Sequence, residues 1–205
     1  MTISPFEDRY KTEMNAIFDE STKLQKWMAV ELALTKVHAQ LGNVPKDAPS
    51  KIESGMKKVK LARVKEIEEQ IHHDLMAMVK ALSEQSGDAD KYVHLGATSY
   101  DIEDTATALI FVEGITLLDN HLASLALTLK KLALEYKKTI CVGRTHGQHA
   151  VPTTYGMKFA LYYQELLRNR ARLMEAKKRI SVGKMSGAVG TMATFGTDGP
   201  KIQKA

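Results

Sequence analysis

Apolar residues recur at spacings of three and four along most of the chain, the period of one face of an α-helix. From about Ser21 to Leu41 they fall at Leu24, Trp27, Met28, Leu34, Val37 and Leu41. Gly42 then stands where a helix C-terminus favours glycine. After the loop GNVPKDAP, the tetrad SKIE at Ser50–Glu53 has the form of a capping box opening a second helix. A third pattern runs from about Val64 to Leu82, with Ile67, Ile71, Leu75, Met78, Val79 and Leu82 on one face. From about Ile102 to Lys138 there is no proline and a single glycine, and Ile110, Phe111, Ile115, Leu118, Leu122, Leu125, Leu129 and Leu132 mark a stripe. A helix of that length would extend roughly 50 Å. A second long helix is expected from Pro152 to about Ile180, with Tyr155, Phe159, Tyr162, Leu166, Leu173 and Ile180 as its apolar positions. Residues 1–20, with Pro5 and scattered charges, read as irregular.

Helices this long are not stable alone in water and need partners along their length. A strict heptad is absent, which argues against a coiled coil. The fold class is therefore all-α: a small N-terminal helical domain over residues 1–101, then part of an elongated long-helix bundle over 102–205. Abundant Ala, Leu, Lys, Glu and Met, with only 6% aromatic residues, point the same way. The last stretch, VGKMSGAVGTMATFGTDGPKIQKA, reads as a glycine-rich loop leading into a further element. The expectation is that these residues are the front part of a longer protein.

The formal net charge of +5 changes this picture little. Lys and Arg are spread among carboxylates, as on solvated helix faces, whereas a nucleic-acid surface needs clustering. A mild positive balance suits an anionic small molecule. The single cysteine, Cys141, excludes a disulfide framework and a Cys-only metal site and fits a reducing compartment. No uninterrupted apolar run approaches the length of a membrane span, and MTISPFEDRYKTEM has no apolar signal core. The expectations are a cytoplasmic protein with neither nucleic acid nor membrane as partner.

Chemistry-bearing residues gather in four places: Asp8-Arg9-Tyr10, His72-His73-Asp74, His94 to Asp101, and Thr145-His146-Gly147-Gln148-His149. Each has a plain reading. Arg9-Tyr10 is by default a surface pair. Adjacent histidines on a helix point about 100° apart and do not easily chelate one ion, so one of them would be a satisfied histidine at the core edge. Thr98-Ser99 before a long helix is an N-cap, although hydroxyls and free N–H groups there also make a carboxylate or phosphate site. His146 is harder to explain structurally. A glycine follows it, which lets backbone approach a ligand, and the loop precedes a rigid helix. The chain contains no P-loop, no HExxH and no Cys/His zinc spacing. Cys141 reads as a buried small residue rather than a nucleophile.

Taken in order, DRYKTEMNAIFDE, HHDLMAMVKAL, YVHLGATSYDIEDTATAL, GRTHGQHAVPTTYGMKFA and GKMSGAVGTMATFG resemble the fumarase/aspartase superfamily over essentially the whole chain. The spacing of the TSxD block from the GRTHGQ block is the specific part. The resemblance implies homotetramers around long central helices, with each active site gathering segments from three subunits. It implies β-elimination of fumarate, here from the nucleotide adenylosuccinate, giving AMP, and from the succinyl-carboxamide ribotide of purine synthesis. No metal or organic cofactor is implied.

By the same resemblance, His146 is the general acid that protonates the leaving nitrogen. Thr98 and Ser99 hold a succinyl carboxylate. Arg9 and Tyr10 meet the nucleotide phosphate, and Asp74 pairs with His73 near the substrate. Thr145, Gln148 and His94 are supporting contacts. His72 stands where many relatives carry arginine, and Val151 where many have glutamate or another residue. His149 is assigned no role beyond structure. Argininosuccinate lyase and carboxymuconate cycloisomerase share the superfamily, and a non-catalytic helical assembly module is the reading outside enzymes.

The superfamily signature resembling S-S-x-M-P-x-K-x-N, which carries the serine base, does not occur here. This chain thus holds the acid side of the site without the base side. Purified alone, it is expected to release no fumarate from adenylosuccinate in a coupled absorbance assay; measurable turnover would overturn that expectation.

Overall fold

The computed structural model describes residues 9–204, so Pro5 and Asp8 lie outside the described residues. The chain is predominantly helical and divides into two compact units. One comprises the chain up to Phe111 together with the stretch from Ser181 onward; the other is Val112–Ile180.

In the first unit, α1 spans Glu13–Ile17, inside a region that the sequence pattern left irregular. It is too short for a periodic signal and forms because Thr12 and Asn15 cap it reciprocally. Helix α2 covers Glu20–Gln40 and opens on Asp19, whose carboxylate accepts the Thr22 N–H at 2.7 Å. It closes before Gly42, which takes a left-handed φ of 79°. Helix α3, Ala48–Met56, begins two residues before the expected Ser50. Asp47 precedes it and Pro49 lies in its first turn, where a missing N–H costs nothing.

The expected single helix from Val64 to Leu82 is two helices, α4 (Leu61–Ile71) and α5 (Asp74–Ser83). His72 turns left-handed at the end of α4, and His73 is extended at the start of α5, where its ring Nδ1 accepts the Met76 N–H at 3.4 Å. The apolar period continues across the break, which is why the pattern alone hides it. Arg63 and Glu84 tie the two helices at 2.6 and 3.0 Å. A short 3₁₀ helix, Gly87–Tyr92, leads to α6, Ser99–Glu135. After the second unit the chain returns through a glycine-containing segment, a 3₁₀ turn at Ala193–Asp198 and α8, Gly199–Lys204.

Ile52, Leu75, Met78, Leu82 and Ile102 form the fully buried centre of this unit. Trp27, Met28 and Leu34 of α2 surround it, and Met185, Phe195 and Ile202 of the returning segment complete it. One face of α2 also buries polar groups, Glu31, Thr35 and His38, at spacings of four and three. Two of them anchor the loop before α6. Glu31 accepts the His94 N–H at 2.9 Å, and His38 Nε2 donates to the Leu95 carbonyl at 3.1 Å.

In the second unit, the remainder of α6 faces α7, Tyr155–Ile180, and the two are joined by an antiparallel hairpin, β1 (Ile140–Thr145) and β2 (Gln148–Thr154). The expected helix start at Pro152 is therefore a strand, with Pro152 opposite Val142 and the helix opening three residues later. Arg170 forks onto the Asp119 carboxylate at 2.7 and 3.0 Å, clamping α7 to α6. Gly156 enters α7 so close to α6 that an added Cβ would lie 2.6 Å from the Ala133 carbonyl oxygen. Helix α6 is long and apolar enough, by length and composition alone, to cross a membrane although it has no unbroken apolar run, because its polar residues are interspersed among many leucines.

Replacing Ile52, which has no exposed surface, by alanine is expected to destabilise the first unit by about 2–5 kcal/mol, lost transfer energy plus cavity. Urea unfolding followed by circular dichroism measures it.

Candidate active site

Among the described residues, four that are not glycine have left-handed backbone: His72, His94, His146 and Met192. Three are histidines in the sequence clusters singled out for chemistry. Such a conformation is costly for a side chain with a Cβ and persists where its surroundings over-determine it.

Around the break between α4 and α5, His73 Nε2 lies 3.4 Å from the Ser99 hydroxyl at the first turn of α6. Because Nδ1 accepts the Met76 N–H, the proton sits on Nε2 and is offered to Ser99. Asp74 Oδ1 is 3.8 Å from His73 Nδ1, too far for a hydrogen bond, and accepts its own helix's Leu75 N–H at 2.8 Å. Glu103, one turn further along α6, was not singled out from the sequence. Burial, then the charge of Asp74, push its carboxyl above the ordinary range. His72 is exposed beside this group.

Thr98 precedes α6 in the cap position, and its N–H is taken by Asp101 Oδ2 at 3.0 Å. Asp101 is wholly buried. Its carboxylate also accepts Lys184 Nζ at 2.6 Å, the Ser186 N–H at 2.9 Å and the Gly187 N–H at 3.1 Å. Burial alone would raise its pKa; the Lys184 ammonium and the N–H groups of Thr98 and Ser186 outweigh it and hold the carboxyl below the ordinary range. Thr105 adds a second tie, its hydroxyl donating to the Lys184 carbonyl and accepting the Lys184 N–H. The start of α6 and the glycine-rich Gly183–Gly187 segment are thus one construction. Within it, the Phe195 ring would lie 2.8 Å from a Cβ added at Gly96.

His94 is mostly buried, its Nδ1 2.6 Å from Glu31 Oε1. Arg9 and Tyr10 are exposed in the turn before α1.

In the second unit, Thr145 pairs with Gln148, so His146 and Gly147 are the two central residues of the hairpin turn. Their φ values of 53° and 71° match a turn of the type that demands left-handed backbone at both positions. This is the structural use of Gly147. It also puts His146 at an exposed hairpin tip, with Thr145, Gln148 and His149 equally exposed beside it. The candidate residues accordingly form two sets, His72 to Ser99 in one unit and Thr145 to His149 in the other. Glu31 had a sequence signal that went unused: it is a lone acid on the apolar stripe of α2, three residues from Met28 and from Leu34. Lys184 had none, since its partner is 83 positions away. Among the described residues, no three His, Cys, Asp or Glu side chains gather as a metal site would require.

The family model described as Lyase matches residues 8–204. The chain belongs to this lyase family. Among its relatives are the adenylosuccinate lyases of Pyrococcus abyssi, 53% identical over 207 residues, and Methanocaldococcus jannaschii, 50% identical over 208. Each alignment covers 100% of this chain but 46% and 45% of the relative, so the chain spans about half the length of the curated lyases it matches. Among solved structures it resembles a fumarate lyase from Mesorhizobium sp. BNC1, at TM-score 0.88 and 35% identity over 94% of this chain and 46% of that one. It also resembles the 3-carboxy-cis,cis-muconate lactonizing enzyme of Pseudomonas putida, at TM-score 0.91 and 34% identity over 98% and 48%.

Asp101 gives this family member a pH signature. A carboxyl depressed in the folded state contributes stability that is present above its unfolded value near 4 and is lost as pH falls through the folded value. Asp101→Asn is expected to cost about 2 kcal/mol at neutral pH, and the gap to the parent should narrow as pH drops below about 4. Thermal melts across that range measure both.

Proposed function

We propose that this chain supplies the acid side of an adenylosuccinate lyase. The observation that carries the reading is the pairing of whole-chain similarity to adenylosuccinate lyases with the exposed, left-handed His146 at the tip of its hairpin. In the reaction, a base takes the proton from the carbon next to a succinyl carboxylate. The electron pair becomes the new C=C bond as the C–N bond breaks, and the departing nitrogen needs a proton. A histidine is suited to give it near neutral pH, and a two-residue turn presents the imidazole without burying it.

The carboxylate that carries charge during proton removal fits the opening of α6. Thr98 and Ser99 offer hydroxyls there beside the free N–H groups and positive dipole end of a helix 37 residues long. His73 approaches Ser99, and Asp74 and Glu103 set the charge around it. Arg9 and Tyr10 suit the nucleotide phosphate. His72, His94, Thr145 and Gln148 are supporting contacts. No cofactor enters the reaction.

A homotetramer, with each site drawing on several subunits, explains why the two candidate sets need not belong to one chain's site. The helices of the second unit support it. Leu127 and Leu134 of α6 are 71% and 62% exposed, and Leu161 of α7 is 62% exposed, surface that a bundle of copies would cover. The same demand accounts for the membrane-like composition of α6. In such an assembly residues 1–101 serve as the N-terminal domain and 102–205 as the first part of the central bundle, in a cytoplasmic enzyme of purine synthesis.

His146→Ala in the complete product of the encoding gene is expected to lower kcat for fumarate release about a hundred- to ten-thousand-fold with the helical spectrum unchanged. Retained turnover would remove His146 from the chemistry. Turnover of argininosuccinate in place of adenylosuccinate would reassign the substrate.

A further inference from the structure

We infer that Glu31 is a positioning residue that holds the proton of His94 on Nδ1 and so makes Nε2 the ring atom that meets a ligand. Glu31 is a charged side chain with no exposed surface, in the middle of the apolar face of α2. A carboxylate there must be bonded at both oxygens. It is: Oε2 takes the His94 backbone N–H at 2.9 Å, and Oε1 lies 2.6 Å from His94 Nδ1. An ionised carboxylate only accepts, so Nδ1 must donate. This holds whether the ring is neutral or charged, and it leaves Nε2 as the ring atom to meet a ligand.

The same pair explains the backbone. His94 sits at φ 62°, and the bond from its N–H to Glu31 fixes that conformation while the side chain is held from the other oxygen. One buried acid thus sets the ring's position, its tautomer and the left-handed turn. His38, two turns further along α2, fastens the next residue through the Leu95 carbonyl. The ring keeps 13% exposure although Nδ1 faces a fully buried partner, and among the described residues no hydrogen bond engages Nε2. The free nitrogen is therefore on the accessible edge, four residues before the Thr98-Ser99 start of α6.

The claim that this edge touches substrate rests on the lyase reading above; the tautomer does not. It is tested without turnover, by ¹⁵N–¹H correlation spectra of histidine-labelled chain at a pH where the ring is neutral. His94 is expected to show a protonated Nδ1 and an unprotonated Nε2. Glu31→Gln is nearly isosteric but has one acceptor oxygen and an NH₂ group. The backbone N–H claims the oxygen, the NH₂ faces Nδ1, and the proton is expected to move to Nε2. An Nε2–H tautomer in the parent chain overturns the inference. So does a variant that keeps Nδ1–H, because Glu31 would then not be what fixes it. If the variant does not fold, the parent spectrum alone decides. Loss of the lyase reading would leave either spectrum unchanged.

Discussion

The Asp101 carboxylate is the constraint on which the first unit depends. An ionised carboxyl with no exposed surface is several kcal/mol too costly unless every lone pair is engaged. The start of α6 can supply only the Thr98 N–H, three residues away. The rest must come from elsewhere, and the segment that returns after α7 brings Lys184 and the N–H groups of Ser186 and Gly187. That requirement closes the unit. Met185, Phe195 and Ile202 travel with the same segment into the core, so charge satisfaction and apolar burial act on one stretch of chain.

Glu31 repeats the device on a smaller scale, with the loop around His94 in place of the glycine-rich segment. Both acids sit behind residues proposed to meet substrate, Asp101 behind Thr98-Ser99 and Glu31 behind His94. A binding group on a loop is mobile unless something rigid fixes it, and here helices α2 and α6 do so through buried carboxylates. His146 is held differently. Its position depends on strand pairing and the left-handed turn between Thr145 and Gln148, with no buried acid behind it among the described residues.

Backbone conformation links these places. His72, His94 and His146 each occupy a region that disfavours any residue with a Cβ, and each marks a point where the chain reverses or breaks. A glycine would be easier to accommodate at all three. Histidine in such a position says that the side chain is wanted there, and the bonding of His94 to Glu31 and the place of His146 beside Gly147 in the hairpin turn say what those two local structures serve.

The amino-acid sequence by itself determined the helical class, the two long helices, the glycine after α2 and the four clusters that carry chemistry, because these rest on local period, local capping and residue type. The sequence pattern did not reveal the break at His72-His73, since the apolar period runs through it. Nor did it reveal the β-hairpin over Ile140–Thr154, since Pro152 before an amphipathic run looks like a helix start. Only the tertiary structure decided which partners the clusters have. Asp101 with Lys184, Glu31 with His94 and His73 with Ser99 are 83, 63 and 26 positions apart. A buried charge selects its partner by proximity in space, and no local rule of spacing records that choice.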